Sequence, residues 1–99
     1  MEIKINAVRF DIDQKLVDFV NKKVSKLDKF YDAILGVEVF LRVEKLQAEE
    51  NKVAEIRVNI PGNDLFVKKQ TNTFEESVSQ AVDSLTRSLG KTKEKQRGV

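Results

Sequence analysis

The chain of 99 residues contains no histidine and no cysteine. Nucleophilic triads and imidazole acid–base catalysis depend on these residues, so their absence excludes most enzymatic mechanisms. Disulfide bridges and thiolate zinc sites are excluded for the same reason. The four glycines are scattered at positions 36, 62, 90 and 98, which leaves no glycine-rich phosphate loop. We therefore expect a protein that is not an enzyme, with no catalytic residues, cofactor, metal or small-molecule substrate.

Long apolar runs are also missing from the chain. No segment is apolar over enough residues to cross a bilayer, and no apolar stretch follows a basic start. The sequence predicts no membrane partner and a cytoplasmic location. Two pairs of neighbouring acids, Glu49-Glu50 and Glu75-Glu76, offer carboxylates for a metal. We interpret them as structural, because a polar loop and the first turn of a helix both favour acids.

Positive charge is unevenly distributed along the chain, although the net charge is only +2. Residues 87–99 hold five bases and one acid, whereas residues 38–76 hold six bases and eight acids. A protein with charge of one sign gathered in one region attracts a partner of opposite charge to that region. Nucleic acid is the partner that this pattern favours.

Two helical patterns carry that basic charge. Between Leu16 and Tyr31, apolar residues repeat at spacings of three and four, which predicts an amphipathic helix capped by Asp11 or Asp13. Phe30 belongs to the predicted apolar side, so we expect no aromatic platform for base stacking. The lysines of the polar side are Lys15, Lys22, Lys23, Lys26 and Lys29.

The second helical pattern runs from Phe74 to Leu89. Thr73 and Glu76 have the spacing of a capping box, and Gly90 suits a C-terminal cap. Residues 91–99 lack apolar periodicity, so we expect one domain over residues 1–90 followed by a basic tail. The bases of this region are Arg87, Lys91, Lys93, Lys95 and Arg97.

Strand-like segments account for the rest of the chain. Alternation of apolar and polar residues predicts four strands, with a turn at residues 61–64 before the last. Their predicted bounds are residues 2–10, 37–45, 53–60 and 65–71. The order β-α-β-β-β-α predicts an α+β fold, a four-stranded sheet with two helices on one face. The two rows of bases would then merge, and Phe40 and Phe66 would lie on the open face.

Three segments resemble the ribosome hibernation promoting factors, also called ribosome-associated inhibitors. Residues 16–34 are similar to the family's first helix, and residues 37–45 to its second strand, which closes with Val-Glu-Lys. Residues 81–95 are similar to its last helix and the alternating lysines that follow. From its length we expect the family's short form, without the further C-terminal domain of longer members.

This resemblance implies a fold close to that of double-stranded RNA-binding domains, and it implies a function. Such factors bind the small ribosomal subunit, through its rRNA, in the channel for mRNA and tRNA, and they inhibit translation of idle ribosomes in stationary phase or starvation. A helper protein for ribosome dimerisation is a further partner left open. The RNA-binding residues implied by matching positions are Lys23, Lys26, Arg87, Lys91, Lys93 and Lys95. Lys22 and Lys29 extend the row by helical geometry alone.

Two other interpretations of the sequence stay open. A generic double-stranded RNA-binding module would carry the same basic helices. A protein–protein adaptor would instead use the open sheet face, where Phe40 and Phe66 are the residues that favour it.

Overall fold

The computed structural model describes residues 1–45 and 47–97, apart from the side chains of residues 93–97. Two helices and four strands follow in the predicted order β-α-β-β-β-α, which confirms the fold class. A 3-10 turn, Lys26–Lys29, directly continues the first helix. The elements are β1 (Glu2–Ala7), α1 (Gln14–Ser25), β2 (Gly36–Val43), β3 (Lys52–Ile60), β4 (Asn63–Thr71) and α2 (Phe74–Arg97).

The strands form one sheet in the order β1-β2-β3-β4. β1 pairs parallel to β2 through the α1 crossover, and the other two pairings are antiparallel. The register aligns apolar residues across the sheet, so that Ile5, Val39, Ile56 and Val67 form one row. The β3–β4 turn has Gly62 at a φ of +82°, a conformation that glycine adopts without strain.

Both helices pack on the same face of this sheet. Val20 and Val24 of α1 and Leu85 of α2 are buried in one cluster with Val39 and Ile56 of the sheet. Together, α1, the 3-10 turn and α2 are called the helix layer below. Within the described residues, the opposite face carries no helix, and it is called the outer sheet face. Its charged residues are Glu2, Lys4, Glu38, Arg42, Glu55, Arg57, Asp64 and Lys68.

The two helices run in the same direction. β1 and β4 are both parallel to β2, and each is followed directly by a helix that returns along the sheet. α1 and α2 therefore begin at the same end of the sheet. The rings of Phe10 and Phe74, which precede and open these helices, are stacked there with centroids 5.0 Å apart.

The first helix differs from its prediction. The α-helical part ends at Ser25, and residues 26–29 wind as a 3-10 turn. Regular helical winding ends at Lys29, so helical periodicity does not fix the direction of the positions that follow. Tyr31 is buried, whereas Phe30 is 45% exposed. The prediction that Phe30 belongs to the core is wrong for this reason.

The largest other differences from the predicted boundaries are at the ends of β1 and α2. β1 ends at Ala7 and not at Phe10, because Arg9 has a φ of +63° and turns the chain out of the sheet. α2 passes through Gly90 and continues to Arg97, so Gly90 is not a cap. One glycine costs a helix only about 1 kcal/mol, and the lysine, glutamate and glutamine residues beyond it are good helix formers.

A polar connection fixes the start of α2 to the sheet. The Thr73 hydroxyl accepts from the N–H of Glu76 over 3.0 Å, which confirms Thr73 as the cap. The N–H of Thr73 donates to the Thr71 hydroxyl over 3.4 Å and not to Glu76, so the reciprocal half of the predicted capping box is not formed. Ser77, which is fully buried, donates to the carbonyl of Lys52 over 2.6 Å and lies 2.7 Å from the Thr71 hydroxyl. Among the described residues, no helix is long and apolar enough to span a membrane.

Candidate RNA-binding surface

The predicted lysines of the first helix are held by a well-anchored segment. The carboxylate of Asp13 accepts from the N–H of Leu16 over 2.8 Å, so Asp13 and not Asp11 caps α1. Val20 and Val24, on the opposite side of the helix, are fully buried. The polar side is thereby fixed toward solvent, and Lys22 is exposed on it.

The 3-10 turn aligns the next two lysines. Residues three apart eclipse one another in a 3-10 turn, so Lys26 and Lys29 lie one above the other, and both are exposed. Between them in sequence, Leu27 is fully buried and Asp28 is exposed. The turn therefore has one buried anchor and presents its two cations outward.

Lys23 has a different setting from its neighbours. Its ammonium lies 5.7 Å from the ring centroid of Phe19, within cation–π range, and the residue is half-buried. Of the predicted α1 bases, Lys23 is thus the one held against the protein surface, whereas Lys22, Lys26 and Lys29 extend into solvent.

The bases of the second helix lie at the same end of the helix layer. Lys26 and Lys29 lie about 18 and 24 Å beyond the start of α1, given 1.5 Å per α-helical and 2.0 Å per 3-10 residue. Arg87 and Lys91 are exposed and lie about 20 and 26 Å beyond the start of α2. Because the helices begin together and run in parallel, these bases share one level along the layer.

This region is called the basic end below. Residues 22–29 and 84–91 together hold six bases and one acid, a net charge of +5. The earlier parts of the same helices, residues 14–21 and 74–83, hold one base and four acids, a net charge of −3. The bases of the basic end are Lys22, Lys23, Lys26, Lys29, Arg87 and Lys91.

Cations at the basic end are available for a ligand. Within the described part of the chain, both ion pairs belong to Arg42 on the outer sheet face, and none involves the basic end. Arg87 donates to the Ser84 hydroxyl over 3.2 Å, a neutral contact that leaves its charge uncompensated. The predicted binding residues Lys93 and Lys95 have helical backbone, but their side chains lie outside the described residues.

Such a surface suits the phosphates of a nucleic acid. Exposed, unpaired cations on a rigid support neutralise phosphates and release counterions, which drives association. No cluster of three metal-binding side chains exists among the residues that the structure describes.

Sequence reasoning missed two features, one beside the basic end and one on the outer sheet face. The first is the exposed ring of Phe30, which follows Lys29 directly. The second is Arg42, which donates to Glu55 over 2.6 Å and to Glu44 over 2.9 Å. Both hydrogen bonds raise the pKa of Arg42, and the bond to Glu55 has the larger effect. Strand alternation puts Arg42 and Glu44 on one face, whereas Glu55 is placed near Arg42 only by the cross-strand register, which pairs Glu55 with Phe40.

Fold and surface together define an α+β protein with a basic helix layer over one side of a four-stranded sheet. Residues 3–97 match the family described as sigma 54 modulation protein / S30EA ribosomal protein. The chain belongs to this family, which confirms the resemblance to ribosome hibernation promoting factors.

Individual relatives agree with that membership. The chain is 29% identical over 99 residues to a ribosome hibernation promoting factor of Pseudomonas putida, covering all of this chain and 93% of that protein. It is 26% identical over 95 residues to the factor of Escherichia coli K12, covering 96% of each.

Two solved structures have a similar fold. The N-terminal domain of Thermus thermophilus Protein Y superposes with a TM-score of 0.79 at 28% identity, covering 93% of this chain and 99% of that one. A ribosomal subunit interface protein from Coxiella burnetii superposes with a TM-score of 0.83 at 22% identity, covering 94% and 98%. The second likeness is one of fold alone.

Proposed function

We propose that this protein is a ribosome hibernation factor, which binds the small ribosomal subunit in the channel for mRNA and tRNA. It inhibits translation of idle ribosomes by steric occlusion, without catalysis, in the cytoplasm where ribosomes lie. The observation that carries the proposal is the basic end, with its net charge of +5, on a chain of this family.

Charge and rigidity have separate roles in this mechanism. Lys22, Lys26, Lys29, Arg87 and Lys91 neutralise rRNA phosphates, and Lys93 and Lys95 extend the same helix toward the RNA. The packed sheet and helix layer supply a body that does not deform when mRNA or tRNA competes for the space. Association driven by counterion release weakens steeply as salt rises.

The experiment is co-sedimentation of the purified protein with small subunits, whole ribosomes and a plain RNA duplex, at low and moderate salt. We expect retention on small subunits and ribosomes at moderate salt, with loss from the duplex. Equal affinity for the duplex would instead identify a generic double-stranded RNA-binding module. Adding excess mRNA and initiator tRNA should displace the protein, and undiminished co-binding would contradict occlusion.

A protein–protein adaptor is the second candidate function. Phe66 is 57% exposed on the outer sheet face, and a partner that covers this ring would use that face. Such a contact would tolerate neutralisation of Lys26 and Lys29, whereas ribosome binding through the basic end would not. Pull-down with each surface altered separately distinguishes the two.

A further inference from the structure

The aromatic ring of Phe30 does not pack in the hydrophobic core. It is 45% exposed, and it is absent from both the buried cluster and the apolar residues packed against that cluster. Single exposed apolar residues are common in soluble proteins, so exposure alone carries no function. Its backbone support and its neighbours are what distinguish this ring.

The backbone of Phe30 is fixed on both sides. Its N–H donates to the carbonyl of Leu27 over 3.0 Å, and the N–H of Tyr31 donates to the same carbonyl over 3.2 Å. Leu27 is fully buried and Tyr31 is 6% exposed. A ring between two buried anchors loses little conformational freedom when it is covered by a ligand, which lowers the entropic cost of binding.

The neighbours of Phe30 favour RNA over protein as the ligand. Lys26 and Lys29 are both exposed within four residues of the ring. Unpaired bases stack on aromatic side chains while nearby cations hold the adjoining phosphates. The other strongly exposed phenylalanine, Phe66, has Arg57 opposite it on a face whose four bases and four acids balance. Phe66 therefore lacks the surplus positive charge that RNA binding requires.

We propose that Phe30 stacks on an unpaired base of the RNA bound at the basic end. This inference rests on the proposed function and adds a contact to it: the lysines hold phosphates, and Phe30 selects a segment whose bases are unpaired. A continuous duplex offers no such base, because its bases are stacked on one another.

The chain contains no tryptophan, so a single introduced tryptophan has no background from the rest of the chain. A parallel titration of the unaltered protein supplies the subunit emission and absorption, for which both variants are corrected. Phe30→Trp keeps an aromatic ring at the proposed contact, and Phe66→Trp is the matched control on the opposite face. On titration with small ribosomal subunits, we expect the emission of Phe30→Trp to be quenched by base stacking. The emission of Phe66→Trp should stay unchanged at the same occupancy, which sedimentation measures in parallel.

Affinity gives a second readout that does not depend on fluorescence. Phe30→Leu keeps an apolar side chain but removes the ring, and we expect it to bind small subunits about 5- to 100-fold more weakly. Phe66→Leu should bind as the unaltered protein does. Circular dichroism confirms that both variants are folded before the comparison is made.

The outcomes separate this inference from the proposed function. If Phe30→Trp is not quenched at saturation, or if Phe30→Leu binds with unaltered affinity, stacking by Phe30 is wrong and the lysine surface stands. If the unaltered protein does not bind small subunits at all, the proposed function and this inference both fail.

Discussion

The two faces of this protein arrange their charged residues differently. On the outer sheet face, four bases and four acids alternate across the strands, so that Lys4, Glu38 and Arg57 follow one another in register. In the helix layer, the charges separate along the helices, from a net −3 where the helices begin to a net +5 at the basic end. Opposite charges in contact largely cancel at a distance, whereas separated charges produce a field.

The difference teaches that overall composition does not reveal how charge is distributed over a surface. A net charge of +2 for the whole chain hides a region of +5. On the sheet, cross-strand pairs of opposite charge stabilise the fold and keep the register. In the helix layer, exposed lysines without ion pairs contribute little to folding, and we propose that they bind RNA. The predictions below test that separation of roles, in descending order of expected effect.

The largest effect is expected where the basic end is anchored in the core. Leu27→Ala leaves a cavity beneath the 3-10 turn, and we expect it to lower the free energy of unfolding by about 2–5 kcal/mol. Phe66→Ala on the outer sheet face should change it by about 0.5 kcal/mol or less, because that side chain is exposed. Urea denaturation measures both. Similar losses from the two variants would show that the sheet face is covered in solution.

Neutralising the basic end should affect binding and leave folding intact. Each lost phosphate contact flattens the salt slope by about 0.9, so Lys26→Gln with Lys29→Gln should flatten it by about 2 and weaken small-subunit binding about 30-fold at 0.15 M salt. The matched control is Lys4→Gln with Lys68→Gln on the outer sheet face. Filter binding across a salt series compares them. Equal losses from both double variants would mean that either face contacts RNA.

Removing the ion-paired arginine should lower stability and leave ribosome binding unchanged. Arg42→Gln breaks hydrogen bonds to Glu44 and Glu55, and we expect a loss of about 1 kcal/mol in unfolding free energy, since the side chains are partly exposed. Ribosome affinity should be unchanged, because Arg42 lies on the face away from the basic end. A drop in affinity as large as that of the Lys26 and Lys29 double variant would contradict the claim that RNA binds at the basic end and not at the outer sheet face.

The smallest effect concerns pH. The hydrogen bond from Arg42 holds the pKa of Glu44 below its ordinary value of 4.5. The folded protein therefore binds this proton less readily than the unfolded chain, and the stabilisation is present above that value and is lost as pH falls below it. Glu44→Gln should make urea midpoints fall less steeply in that acidic range. In the Arg42→Gln background, Glu44→Gln should not alter the pH dependence of the urea midpoint. If it still does, a residue other than Arg42 lowers the pKa of Glu44.

Local patterns in the sequence predicted most of the fold. Alternation along the strands, the Pro61-Gly62 turn and the candidate caps (Asp11 or Asp13, and Thr73) identified the elements and their order, because each depends on residues near one another in sequence. Their ends were less predictable. Gly90 has the residue type of a cap, yet the helix continues because good helix formers follow it.

The sequence predicted which lysines of α1 are exposed at the candidate site, but it did not predict that Phe30 is exposed beside them. Helical periodicity placed Lys22, Lys26 and Lys29 on the solvent side, where the structure has them. The end of regular winding at Lys29 was not predicted, because the apolar spacing continues through Phe30 and Tyr31. Phe30 lies beyond that end and is the exposed ring beside the lysines that sequence reasoning assigned to the core.

The most direct test of the central claim is a cryo-electron microscopy structure of the protein on the small ribosomal subunit. Our account predicts density in the mRNA and tRNA channel, with the basic end against rRNA and the outer sheet face turned away from it. A protein seated through its outer sheet face, or bound outside the channel, would contradict the account.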